Sequence, residues 1–176
     1  AEFKNMMEQE ETVVLDMRNN VEHNIGKFKN AVTLNIDHFR DFPSKVKELE
    51  RYKNCRILTY CTGGIRCEKA SAYLIQQGFK DVYQLHGGII NYGYKEGGKD
   101  FDGSCYVFDS RIAVDVNKVN PVVISRCYIC DSTCDRMVNC ANPECNLHLP
   151  ICKKCGLTYE GACSKECMAH PKKRTY

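Results

Sequence analysis

Apolar residues in the first hundred positions fall into two rhythms. Thr12-Val13-Val14-Leu15-Asp16 is a short apolar run ending in an acid, and Ala31-Val32-Thr33-Leu34-Asn35, Arg56-Ile57-Leu58-Thr59-Tyr60-Cys61 and Val82-Tyr83-Gln84-Leu85 are runs of the same kind. Near-continuous apolar runs of this length predict strands buried on both faces. Between them the spacing turns helical. Phe3, Met6 and Met7 share one face of Ala1 to Glu10, and Val46, Leu49 and Tyr52 form a stripe behind Pro43, a residue suited to a helix's first turn. Ala70, Tyr73 and Leu74 point one way within Ile65 to Gln77, with Gly78 as the stop, and a short helix is expected over Ile89 to Tyr94 after the Gly87-Gly88 turn. Gly26 and Asn30 read as loop punctuation. Strands alternating with helices predict an α/β domain over residues 1–99: a mostly parallel sheet with helices on both faces.

The pattern then changes. Residues 100–126 hold Cys105-Tyr106-Val107-Phe108 and Ile112-Ala113-Val114 on either side of Asp109-Ser110-Arg111. These read as two connecting strands, apolar enough to pack back on the first domain. From Cys127 apolar periodicity stops. Residues 127–170 are therefore expected to form a small Cys-rich module held by something other than an apolar core, followed by a tail at 171–176.

Composition adds two constraints. With 176 residues, 43% hydrophobic and 27% charged, the chain has room for one ordinary domain and an appendage. No apolar run approaches the roughly 18 residues that span a bilayer, so no membrane segment is expected. A net charge of +3 argues neither for nor against a polyanionic partner. The chain opens at Ala1 already in helical pattern, so it is expected to be a piece of a longer protein whose targeting signals lie elsewhere.

Cysteine is the outlier: thirteen in all, nine of them from Cys127 onward. Such density can mean a secreted disulfide scaffold. The first domain needs no staples, however, and paired Cys-x-x-Cys units in a reducing compartment indicate metal, so a cytoplasmic protein is expected.

Cys61 stands at a strand's carboxyl end, followed by Thr62-Gly63-Gly64-Ile65-Arg66 and a helix. Ligands of parallel α/β sheets bind beyond those strand ends. A Gly-rich turn aims backbone N–H groups and a helix N-terminus at the sulfur, and Arg66 is expected to add a positive charge, all favouring thiolate over thiol. The glycines permit backbone angles that side chains would block. A merely packed cysteine, the alternative, needs no such anion nest. Cys67, on the helix's first turn, is either a second thiol able to resolve an oxidised Cys61 or a packing residue. Four residues separate Cys61 from Arg66, which gives a ring suited to a terminal sulfur or a similarly compact group.

In the tail, Cys127-x2-Cys130 and Cys152-x2-Cys155 fit one tetrahedral zinc site, and Cys140, Cys145, Cys163 and Cys167 a second, interleaved one, with Cys134, His148 and His170 competing for its places. Metal would hold together a segment that lacks a core. Four thiolates leave no open position, which favours a structural role over a catalytic one. Disulfides are the other reading. Lys153-Lys154 and Lys172-Lys173-Arg174 are short basic runs, either solvated surface or RNA-phosphate contacts.

Leu15-Asp16-Met17-Arg18, Glu22, Gly26-Lys27-Phe28 and Ala31, with Leu85-x-Gly87-Gly88 later, resemble the rhodanese pattern of Asp-x-Arg, an acid, Gly-His-Ile, Ala and a late Gly-Gly turn. The resemblance runs from Ala1 to about Gly97. It departs at Lys27, where the family often has His, and at Tyr92, where it often has Trp. It implies a rhodanese-like fold, a persulfide-bearing nucleophile at Cys61, the loop arginine at Arg66, and Asp16 and Arg18 as supporting residues. The related dual-specificity phosphatases place five residues between Cys and Arg, which makes phosphatase chemistry the weaker alternative. Cys61-Thr-Gly-Gly-Ile-Arg-Cys-Glu-Lys-Ala70, Cys105-Tyr-Val-Phe-Asp-Ser-Arg111 and the Cys-rich tail further resemble the bacterial rhodanese-type tRNA uridine hydroxylases. That resemblance implies an oxidoreductase that makes 5-hydroxyuridine at the tRNA wobble position from dioxygen, with tRNA as partner and an N-terminal domain that this chain lacks. The sequence holds neither a two-His-one-carboxylate iron motif nor a flavin fingerprint. Sulfane-sulfur transfer through a Cys61 persulfide, and a non-catalytic binding module, are the competing readings.

Overall fold

The structure, a computed structural model, describes residues 2–109 and 111–176. Ala1 of the expected opening helix and Ser110 of the expected turn lie outside the described residues. The elements, in chain order, are α1 (Glu2–Met7), β1 (Thr12–Asp16), α2 (Asn20–His23), β2 (Gly26–Phe28), β3 (Val32–Thr33), α3 (Phe42–Lys45), β4 (Arg56–Tyr60), α4 (Ile65–Gln76), β5 (Asp81–Gln84), α5 (Gly88–Glu96), β6 (Phe101–Tyr106), β7 (Ala113–Asp115), β8 (Met137–Asn139), β9 (His148–Pro150), α6 (Lys153–Thr158) and α7 (Lys165–Met168).

Four strands form a wholly parallel sheet in the order β3-β1-β4-β5. Alternation along β1 and β4 explains why both read as continuous apolar runs. Leu15 and Ile57 point into a cluster with Phe42, Val46, Leu49, Ala70 and Leu74, while Val14, Leu58 and Tyr60 point into another with Phe28, Ile89, Tyr92 and Phe101. Both faces are therefore buried, as expected of a mixed α/β rhodanese-like fold. Phe3, Met6 and Met7 of α1 pack against the second cluster.

Three details depart from the expectations. First, the helix behind Pro43 is a single α-turn, and Val46–Tyr52 is a 3-10 helix. The stripe Val46, Leu49, Tyr52 repeats every three residues, which is the period of a 3-10 helix. Second, Gly26–Phe28, read as loop, is a strand. It pairs antiparallel with β6, and β6 pairs with β7, so a second, antiparallel sheet fastens the connecting segment to the first domain. Gly26 makes this possible, because a Cβ there would lie 2.3 Å from the Ser104 carbonyl. Third, Phe108 is no strand residue packed on the domain. β6 ends at Tyr106, and the Phe108 side chain is 73% exposed.

The Cys-rich segment contains a small hairpin, β8 with β9, and a cluster in which Cys127, Cys140 and Cys155 pack with Leu149, Ile151 and Ala162. The C-terminal tail closes it. Arg174 donates to the Cys140 carbonyl at 2.5 Å and to Asn146 Oδ1 at 2.6 Å, and Lys173 pairs with Glu160. Arg174 and Lys173 thus serve the module itself, whereas Lys153 and Lys154 are exposed. Among the described residues no helix is long and apolar enough to cross a membrane.

Candidate active site and metal centres

Cys61 follows β4 directly, where the chain leaves the sheet and turns into α4. Its sulfur is recessed, with the residue only 2% exposed. The Gly64 N–H donates to it at 3.1 Å. Gly64 sits at φ +99, a conformation that L side chains rarely adopt, whereas Gly63 borders open space and has no such requirement. Of the two glycines, only Gly64 is thus demanded by the loop's geometry. Gly88 completes the arrangement from the other side. The Ile89 and Ile90 N–H groups at the start of α5 donate to the Cys61 and Thr62 carbonyls at 3.0 and 3.3 Å. A Cβ on Gly88 would lie 2.4 Å from the Thr62 carbonyl oxygen.

The Cys61 thiol is pulled down from the ordinary 9.0 to about 5. The largest cause is a hydrogen bond from the Cys67 thiol. Burial opposes it, and the backbone N–H groups of Cys67, Gly64 and Arg66 add to it. Cys67 shifts the opposite way, far above the usual thiol range, because the same bond and its burial hold its proton in place. The two thiols thus shift in opposite directions, Cys61 towards ionisation and Cys67 away from it.

Arg66 carries its charge beside Cys61, and the two are electrostatically coupled. Its guanidinium also makes a bidentate pair with Glu22, Nη1 to Oε2 and Nη2 to Oε1, both at 2.6 Å. Glu22 has no solvent exposure, and a buried carboxylate needs such a partner. The pair clamps α2 to α4 and so fixes the loop, while the Arg66 backbone N–H stabilises the thiolate. Thr62 Oγ1 lies 3.4 Å from both Glu22 Oε1 and the Tyr106 carbonyl. Asp16 and Arg18 form a second, fully buried pair at 2.6 Å behind the loop, with Arg18 also donating to the Gly26 carbonyl at 2.6 Å and Tyr60 OH to Asp16 Oδ2 at 2.5 Å. They tie β1, β2 and β4 together and do not touch Cys61. Ile65 is exposed at the loop's rim.

In the sequence Glu22 was visible only as an acid in a pattern, and Tyr106 and His148 gave no signal as a pair. The structure joins them: Tyr106 OH lies 2.6 Å from His148 Nδ1, linking the Cys-rich module to the rim of the Cys61 loop.

The tail thiols gather into two tetrads, Cys127, Cys130, Cys152 and Cys155, and Cys140, Cys145, Cys163 and Cys167, with all four sulfurs of each within 4.8 Å of one another. Sulfur pairs at 3.8 Å (Cys130 with Cys152, Cys145 with Cys163) and 3.6 Å (Cys163 with Cys167) are near the separation of about 3.8 Å that tetrahedral metal–sulfur bonds of about 2.3 Å require. They are far too long for a disulfide, with its bond of about 2.05 Å. Backbone N–H groups of Cys152 and Cys163 reach the Cys127 and Cys140 sulfurs at 3.3 and 3.4 Å, which supports thiolate character. Each tetrad can hold a metal ion. The competing candidates have other roles: His148 faces Tyr106, His170 Nε2 lies 3.3 Å from Glu144, and Cys134 packs in the module's core.

A parallel sheet with a recessed cysteine in a short Gly-turned loop at a strand's carboxyl end is the arrangement of the rhodanese-like fold. The model of the rhodanese-like domain matches residues 1–94, and that of the rhodanese C-terminal region matches residues 102–168. The chain belongs to the rhodanese-like family. Among curated proteins it is similar to the tRNA uridine(34) hydroxylase of Cytophaga hutchinsonii, 62% identical over all of this chain and 56% of that protein. It is also similar to the protein of the same name from Bacillus cytotoxicus, 48% identical over 98% of this chain and 54% of that protein. The chain thus spans somewhat over half the length of these relatives. Among solved structures, a protein from Anabaena aligns with 57% of this chain and 75% of its own at 25% identity and a TM-score of 0.45.

Proposed function

We propose that this chain is the thiolate-bearing part of an oxygen-dependent tRNA hydroxylase that converts the wobble uridine to 5-hydroxyuridine, with Cys61 as its reactive group. The observation that carries the reading is the placement of the Cys61 sulfur, recessed at the carboxyl end of β4 with the Gly64 N–H donating to it at 3.1 Å. With a pKa of about 5 the thiol is ionised at neutral pH. Similarity over essentially the whole chain to proteins named tRNA uridine(34) hydroxylase supplies the substrate class and the reaction. Thr62, Gly63, Gly64, Ile65 and Arg66 form the active-site loop, Cys67 keeps the proton that holds Cys61 ionised, and Asp16 and Arg18 support the sheet behind it.

Zinc fits both Cys tetrads by donor type and sulfur spacing, and four thiolates per ion leave no position for a reacting group. Its contribution is to fold the module that places His148 against Tyr106. A tRNA-modifying reaction fits a cytoplasmic location.

Sulfane-sulfur transfer is favoured by one observation: a recessed Cys61 sulfur that accepts the Gly64 N–H also suits a persulfide. Turnover of the full-length protein with tRNA and isotopically labelled dioxygen separates the two. Label in the uridine supports hydroxylation. Thiolated acceptor without oxygen label, with thiosulfate as donor, would establish sulfur transfer instead.

A further inference from the structure

We propose that the exposed ring of Phe108 is the surface on which the target nucleobase stacks beside Cys61, a substrate-contacting role for a residue outside the nucleophile loop; the proposal rests on the tRNA-modifying reading above. Exposure alone decides nothing, since single exposed apolar side chains are common. What sets Phe108 apart is that its ring is met by two side chains anchored at the Cys61 loop. It lies one residue past Val107, whose N–H meets the Ile112 carbonyl at 2.8 Å and closes the turn between β6 and β7. The Tyr106 ring meets it edge-on, with centroids 5.1 Å apart and planes at 68°. The Arg66 guanidinium carbon lies 5.8 Å from its centroid.

Neither neighbour is free to move. Arg66 is pinned by both Glu22 oxygens, and Tyr106 by His148 at 2.6 Å. The platform is also next to the chemistry. The Tyr106 carbonyl lies 3.4 Å from the hydroxyl of Thr62, the residue after Cys61, and Arg66 belongs to the loop itself. With 73% of the residue still exposed, most of the ring remains open for a planar ligand.

A nucleobase is the ligand this arrangement suits. RNA-modifying enzymes take the target base out of its stack and must replace the lost stacking. Aromatic side chains are the usual stacking surface for unpaired bases, and Arg adds a cation–π contribution beside them. A recessed sulfur needs the base presented in one plane, and a ring set between Tyr106 and Arg66 offers such a plane.

The test uses the full-length protein with Phe108→Ala, Phe108→Leu and Phe108→Trp, measuring kcat/KM for tRNA hydroxylation, the melting temperature and the pH midpoint of Cys61 alkylation. Ala and Leu should both lower kcat/KM by roughly ten- to hundredfold, while Trp stays near wild type, because stacking needs a π-face and not merely apolar bulk. The alkylation midpoint and melting temperature should not move. Wild-type kcat/KM in the Ala variant, rescue by Leu, or a parallel shift of the alkylation midpoint would each overturn the proposal. Absence of hydroxylation by the wild-type protein is a separate result: it removes the functional reading first, and the stacking role with it.

Discussion

Replacing Cys67 by Ala isolates the interaction that does most to ionise Cys61. Cys67 is completely buried and faces Cys61 from the first turn of α4, so the change removes one thiol donor and leaves the backbone donors in place. A hydrogen bond to a charged acceptor contributes about 1.5–3 kcal/mol. One pH unit corresponds to about 1.4 kcal/mol, so the Cys61 midpoint should rise from about 5 by about one to two pH units. Cys67→Ser keeps a donor and should recover much of the difference. The assay is alkylation by iodoacetamide as a function of pH, read at Cys61 by peptide mass spectrometry because twelve other thiols are present. A midpoint that stays near 5 in the Ala variant would refute the reasoning and leave the backbone N–H groups as the main cause. Faster disulfide formation between Cys61 and Cys67 in the wild type does not bear on this result, since the measurement is made under reducing conditions before alkylation.

Three further outcomes are expected. Because the folded Cys61 value lies below that of an unfolded thiol, the thiolate persists as pH falls until about 5; alkylation should therefore be nearly flat from about pH 8 to about pH 6 and fall below that, whereas an ordinary thiol near 8.5 would already decline across this range. Gly88→Ala, at φ +64 with its Cβ driven to 2.4 Å from the Thr62 carbonyl, should cost at least about 1–3 kcal/mol in chemical denaturation and slow Cys61 alkylation; a variant as stable and reactive as the parent would contradict the described loop packing. Elemental analysis of protein made under reducing conditions should find two zinc ions per chain, one for each tetrad, and strong chelation should unfold the tail and release His148 from Tyr106; an ordered tail with free thiols and no metal would overturn the metal assignment.

What could be read from the sequence, and what could not, follows from how local each signal is. β1, β4 and α4 were readable because burial on two faces, or on one helical stripe, is written in adjacent residues. β2 was not: Gly26-Lys27-Phe28 has no strand pattern of its own, and it is extended because β6, more than seventy residues later, pairs with it. Cys61 was legible from the residues beside it. The Glu22 partner of Arg66 was not, because it lies forty-four positions away. The tail spacing identified Cys-x-x-Cys pairs. It also named the interleaved set, and chain geometry settled only the competitors, with His148 drawn to Tyr106 and His170 to Glu144. Phe108 looked like a core strand residue because its apolar neighbours Tyr106 and Val107 are buried, and only the turn after β6 turns its side chain outward.

The central claim, that Cys61 is the reactive group of a tRNA-hydroxylating enzyme, is tested most directly by mass spectrometry of tRNA from cells whose chromosomal copy carries Cys61→Ser. Serine preserves the shape of the loop but is not ionised at neutral pH, so 5-hydroxyuridine formed by this protein should disappear while the protein remains folded and at normal abundance. Undiminished 5-hydroxyuridine that is nonetheless lost when the whole gene is deleted would show that the protein carries out the modification without Cys61, and would contradict the account.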